Sequence, residues 1–159
     1  MPHIHKLIDF TVCAFIVYGD KVLLVDHKKE KMWLPIGGHV ELDEDPEEAL
    51  MREIKEECGL EVQIIGERPA YEAEGVKPLI APSYLDIHTL SESGSSHRHI
   101  GLVYFAKAAS DEVTLAAGEH NNIRWFSEAE LEDKKFTIRP HVVFYAREAL
   151  KSARKNRSR

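Results

Sequence analysis

Cysteine is scarce in this chain, and long apolar runs are missing. Only Cys13 and Cys58 occur in 159 residues, one in a strand-like and one in a helix-like pattern. Two such thiols do not make the disulfide framework of a small secreted domain, so a reduced, cytoplasmic setting is expected. No run approaches the ~20 apolar residues of a membrane helix, and no signal-peptide pattern opens the chain, so no membrane partner is expected. Repeats, linkers and low-complexity segments are also lacking. Positive charge is short: 21 Lys and Arg face 27 Asp and Glu. Five of those cations fall in residues 151–159, which hold no acid, leaving 16 basic against 27 acidic side chains in residues 1–150, a net of −11. A body so acidic is a poor bare receptor for phosphates, and nucleic acid is not an expected partner. Phosphate chemistry here would require metal cations. The basic segment 151–159 reads as a solvated terminus following one domain at 1–150. With 43% hydrophobic residues, that domain can bury a real core.

What the chain does have is a dense acidic segment. Residues 38 to 60 read GHVELDEDPEEALMREIKEECGL, with nine Asp or Glu against Arg52 and Lys55. At ~100° per residue with Leu50 at zero, Ile54 falls near ~40° and Cys58 near ~80°. On the same wheel Glu57 lies near ~−20°, Glu53 near ~−60° and Glu56 near ~−120°. An apolar stripe thus runs into a carboxylate stripe, with Glu57 at the edge of the face to be buried. An unpaired charge there is expensive. Clustered oxygen ligands beside a helix face suit a hard divalent cation such as Mg²⁺.

Local chemistry supports the helix. Asp45 is placed as N-cap, Pro46 at the first helical position, and Glu48 three residues on completes a capping box. Gly59 is placed to end the helix in a left-handed cap. Upstream, Thr11–Tyr18, a turn at Gly19-Asp20 and Lys21–Val25 read as a β-hairpin. Strand patterns recur at 32–34, 61–65, 79–90, 99–108 and 123–126, with a short helix at 128–132 and a longer one from Pro140 to Lys151. Strands mixed with two main helices predict an α/β sandwich, a sheet flanked by helices.

Residues 38–60 resemble the Nudix box, Gly-x5-Glu-x7-Arg-Glu-U-x-Glu-Glu-x-Gly-U, where U is bulky and apolar. Gly38, Glu44, Arg52, Glu53, Ile54, Glu56, Glu57, Gly59 and Leu60 fill all nine specified positions. The lead-in Trp33-Leu-Pro-Ile-Gly-Gly38 is similar to the family's, except that Ile36 separates Pro35 from Gly37 where many relatives read Pro-Gly-Gly. The resemblance implies an α/β/α Nudix sandwich of MutT-like type and a Mg²⁺- or Mn²⁺-dependent hydrolase. The implied substrate is a nucleoside diphosphate linked to another group, such as a (d)NTP or nucleotide sugar. The implied metal ligands are Glu53, Glu56, Glu57, the Gly37 carbonyl and, from the late loop, Glu119. Arg52 is expected to orient a box glutamate, Glu44 to support the loop–helix turn or the metal site, and Glu53 or else Glu119 to act as base. Homodimers are common in the family. The alternative is a non-catalytic Nudix module that senses a nucleotide or binds RNA; such modules commonly lose box glutamates, which this chain keeps. The isomerase branch of the fold would require a suitably placed cysteine, and neither thiol is placed for it.

One further constellation stands apart from the box. Asp86 and His88 alternate on one predicted strand, and His97 and His99 on the next. With the turn near Gly94, His88 and His99 become cross-strand neighbours. His88, His97 and His99 are candidate substrate contacts, with a second metal site or a solvated polar face as alternatives. Trp33 and Trp125 read as core or cleft-wall residues.

Overall fold

The computed structural model describes residues 4–92, 95–115 and 118–156, with the backbone alone for 90–92 and 95–96. The expected hairpin tip at 93–94, residues 116–117 of the late loop and the last three residues lie outside the described residues. Among the described residues, eight strands form one mixed sheet: β1 Ile8–Tyr18, β2 Lys21–His27, β3 Met32–Leu34, β4 Ile36–His39, β5 Val62–Ile64, β6 Tyr84–Glu92, β7 Ser95–Ala108 and β8 His120–Ser127. Helix α1 spans Pro46–Glu57, α2 spans Pro140–Lys155, and a 3₁₀ turn covers Glu130–Glu132.

The centre of the sheet is β1, IDFTVCAFIVY, whose nearly unbroken apolar run suits a strand covered on both faces. One edge pairs with β7 in parallel from Ile8↔Arg98 to Val17↔Lys107. The other edge is shared: β4 takes Thr11 to Ala14, and β2 takes Val17 and Tyr18. Strand alternation then sorts the side chains into two cores. Val12, Ala14 and Ile16 pack with Leu50 and Ile54 of α1. Phe15 and Val17 pack with Val142, Ala146 and Leu150 of α2. Helices therefore cover both faces, the expected Nudix α/β/α sandwich.

The box helix forms as its sequence dictates. Asp45 Oδ1 accepts the Glu47 and Glu48 N–H groups at 2.8 and 3.0 Å, and Glu48 Oε2 accepts the Asp45 N–H at 2.9 Å. Gly59 ends it at φ +67°, donating its N–H to the Ile54 carbonyl at 3.0 Å. The turn at Gly19 also uses positive φ, +57°.

Three expectations require correction. Ile36–His39, outside every strand the sequence predicts, is strand β4, because the β1 edge supplies hydrogen-bond partners that local propensity cannot anticipate. Residues 79–83 are not strand; β6 starts at Tyr84. The basic segment is not simply a solvated tail: α2 continues through Lys155, burying Ala153, while Arg154 reaches Asp20 and Glu128. None of the described helices is long and apolar enough to cross a membrane.

Candidate active site

The N-terminal end of α1 is tied down by the 66–83 segment, where Lys77 pairs with Asp45 at 2.5 Å and Glu47 accepts the Ile80 N–H at 2.6 Å. From that fixed base α1 projects its carboxylates toward β4 and β8. Glu53 is 2% exposed and Glu57 4%, whereas Glu56 is open to solvent. Both buried acids sit beside the apolar stripe, Glu53 no less than Glu57.

Arg52 organises the first group. Its guanidinium grips Glu44 through two bonds of 2.5 and 3.0 Å, reaches Glu53 at 2.7 Å and Glu56 at 3.4 Å, and donates to the His39 carbonyl at 3.1 Å. A planar fork bound this way fixes carboxylates in direction as well as distance. The bond to Arg52 lowers the Glu44 pKa. Glu44 thus anchors the arginine that anchors the other acids. Glu53 is different: burial outweighs its arginine and pushes its pKa up to about 7, with Glu57 and Glu56 adding to the rise. Its carboxylate lies so close to β4 that a Cβ on Gly38 would come within 2.1 Å of Oε1. Only glycine leaves that space.

Glu57 turns toward β4 and β8 together. Its Oε1 accepts the Gly37 N–H at 3.4 Å, and His120 Nε2 stands 2.9 Å from Oε2. His120 is buried at the start of β8, brought there by the β2–β8 pairing, and its ring meets His27 edge-on at 5.6 Å. Glu119, next to it, is exposed. Ligand atoms of Glu57, Glu119 and His120 lie within 4.8 Å of one another, close enough to share one cation. The sequence pointed to Glu119 but missed His120, whose only signal was adjacency to that glutamate.

The box residues are therefore brought together in two linked groups, Arg52–Glu44–Glu53–Glu56 and Glu57–Glu119–His120, with Gly37 and Gly38 between them on β4. His88, His97 and His99 do not join them. His88 does face His99 across β6–β7, as expected. Yet His97 and His99 are buried, 4% and 9% exposed, so theirs is no solvated face. By alternation they share the sheet face of Val103 and Phe105, opposite α1. Burial lowers the His99 pKa to about 4, helped by His39, His88 and His97. Trp33 is a core residue, edge-on to Phe126 at 4.9 Å. Burial pushes the thiols of Cys13 and Cys58 up to about 12 and about 11, so neither is a reactive thiolate.

A mixed sheet lies between two helices, and a capped helix lays its carboxylates against a glycine pair. The NUDIX domain family model matches residues 8–146. The chain therefore belongs to the Nudix hydrolase family. Among solved structures it is similar to a Nudix-family hydrolase from Clostridium perfringens, 38% identical, with a TM-score of 0.76 over 90% of this chain and 96% of that one. The E. coli dihydroneopterin triphosphate pyrophosphohydrolase shares the fold, with a TM-score of 0.65 at 15% identity over 90% and 97% of the two chains. A curated protein from Lactococcus lactis subsp. cremoris (strain MG1363), named a probable DHNTP pyrophosphohydrolase, is 26% identical over 110 residues, 69% of this chain. That match spans 60% of the relative's length.

Proposed function

We propose that this protein hydrolyses a diphosphate linkage in a nucleoside diphosphate derivative, with Mg²⁺ or Mn²⁺ held by the box acids. The observation that carries the proposal is the pair of buried carboxylates, Glu53 and Glu57, laid against Gly37 and Gly38. Burying two acids side by side is costly without cations, and hard divalent ions take such oxygen ligands. The ligand set is Glu53, Glu56, Glu57, the Gly37 carbonyl and Glu119. Bound there, a divalent cation supplies charge neutralisation at the diphosphate and a lowered pKa for the attacking water.

The chain's own residues do the positioning. Arg52 fixes the directions of Glu53 and Glu56, and His120 fixes Glu57. Glu53, a buried carboxylate directed by Arg52 and laid against Gly38, is the first candidate for general base. Glu119, exposed at the rim and so able to meet substrate, is the second. Displacement at phosphorus demands mainly alignment and charge stabilisation, which a rigid carboxylate cradle supplies.

The substrate class includes ordinary or oxidised (d)NTPs and nucleoside diphosphate sugars. The Lactococcus relative adds pterin triphosphates of the dihydroneopterin type. A panel of these compounds, incubated with protein and Mg²⁺ or Mn²⁺ and read by product mass, tests the proposal. Cation-dependent cleavage of a phosphoric anhydride is expected for at least one class. Tight nucleotide binding without any cleavage would instead favour a sensing module.

A further inference from the structure

Across the sheet from α1, five polar side chains meet near the start of β1. The strand register assembles them. Asp9 pairs with His99 across β1–β7, His99 with His88 across β6–β7, and His39 closes the β4 stretch opposite Thr11. Asp9 is fully buried, and His39, His97 and His99 are buried around it. An ionised carboxylate so placed must be met by donors or cations. Asp9 Oδ1 accepts the His5 N–H at 2.6 Å. Oδ2 accepts the Ile4 N–H at 3.2 Å and faces His97 Nε2 at 3.1 Å and His39 Nε2 at 3.3 Å. Ligand-capable atoms of Asp9, His39 and His99 all lie within 4.8 Å of one another.

We infer that Asp9, His39 and His99 form a second metal site, separate from the box acids and selective for a borderline transition ion of the Zn²⁺ kind. The donor set decides the class: two imidazoles and one carboxylate suit Zn²⁺, whereas Mg²⁺ prefers all-oxygen surroundings. The spacing agrees. Ligands bonded at 2.0–2.1 Å to a tetrahedral ion stand about 3.3 Å apart. His39 and Asp9 already hold that separation, and the third donor lies within 4.8 Å of both. His97 supplies the outer support such sites need: it spans the Lys6 carbonyl at 3.3 Å and Asp9 Oδ2, fixing the carboxylate's direction. His88, half exposed with its ring 5.4 Å from that of His99, stands at the solvent side of the group, where an ion would enter. A bound ion would clamp residues 4–9 to β4, the strand that also carries Gly37 and Gly38.

Co²⁺ titration of the stripped full-length protein, followed by its visible d–d absorption, tests the site. Wild type and Glu57→Gln should each give one equivalent of intense, tetrahedral-type spectrum, because Glu57 belongs to the other centre. His99→Gln should abolish it, and His97→Gln should weaken Zn²⁺ binding by about 10- to 100-fold, as expected for an outer-shell partner. Far-UV circular dichroism identifies any variant that fails to fold. Wild-type crystals grown with Zn²⁺ and measured at the zinc edge decide the matter without a variant. An anomalous peak between Asp9, His39 and His99 establishes the site. No peak there, or a Co²⁺ spectrum unchanged in folded His99→Gln, overturns it and leaves a purely hydrogen-bonded polar cluster. Loss of nucleotide hydrolysis in Glu57→Gln bears on the box acids alone.

Discussion

Glu53 and Glu57 are both buried on α1, yet the fold treats them differently. Glu57 meets His120 and the Gly37 N–H, while Glu53 is pushed up to about 7 by burial despite Arg52. The helical wheel singled out Glu57 as the expensive charge; the structure buries Glu53 as deeply and raises its pKa. A carboxylate raised in the folded state contributes stability that is fully present below its unfolded pKa and lost as pH rises through the folded value. The metal-free protein should therefore lose stability between about pH 4.5 and 7, on the order of 3 kcal/mol from Glu53 alone. Glu53→Gln should remove most of that slope, melting above wild type at pH 8 and close to it at pH 4. Thermal melts in EDTA at the two pH values check this; parallel slopes for both proteins would refute the cost assigned to Glu53.

Among the elements, β4 and α1 work as a pair. A methyl on Gly38 would enter the space of the Glu53 carboxylate, whereas one on Gly37 would meet the Val12 carbonyl of β1 at 2.2 Å. Gly38→Ala should keep the fold but displace Glu53, lowering kcat by at least about tenfold, roughly 1.4 kcal/mol of transition-state stabilisation. Gly37→Ala should instead strike the β1–β4 pairing and cost about 1–3 kcal/mol of stability, as overpacking does. Kinetics and melts on the two variants separate these outcomes. Helix α2 gives a third comparison. Truncation after Asn156 removes only 157–159 and should leave the melting temperature near wild type. Truncation after Leu150 removes buried Ala153 and the Arg154 pairs with Asp20 and Glu128, and should lower it by several degrees.

At the scale of the whole molecule, what the sequence disclosed follows from how local each feature is. The box helix was legible because its cap, its Pro46 start and its Gly59 stop all lie within fifteen residues. Pairing of His88 with His99 was legible because a hairpin fixes its own register. Strand β4 was not, since Pro35, Gly37 and Gly38 read as loop until β1 lies alongside. Nor was His120, which lies sixty-three residues from Glu57 in sequence and reaches it only once β8 has paired with β2. Asp9 and His39 escaped notice for the same reason: their meeting depends on three strands converging. Local chemistry announced the carboxylates, and long-range pairing supplied the partners that hold them.

The most direct measurement is Mg²⁺-dependent turnover of Glu57→Gln beside wild type, on whichever phosphoric anhydride the panel identifies, with melting temperatures recorded with and without Mg²⁺. Loss of a carboxylate that holds the cation should lower kcat by at least about 10²-fold. It should also shrink the Mg²⁺-induced rise in melting temperature, since only an ion bound to the folded state stabilises it. A variant that turns over at the wild-type rate with an undiminished Mg²⁺ shift would contradict the assignment of the box acids as the catalytic metal site.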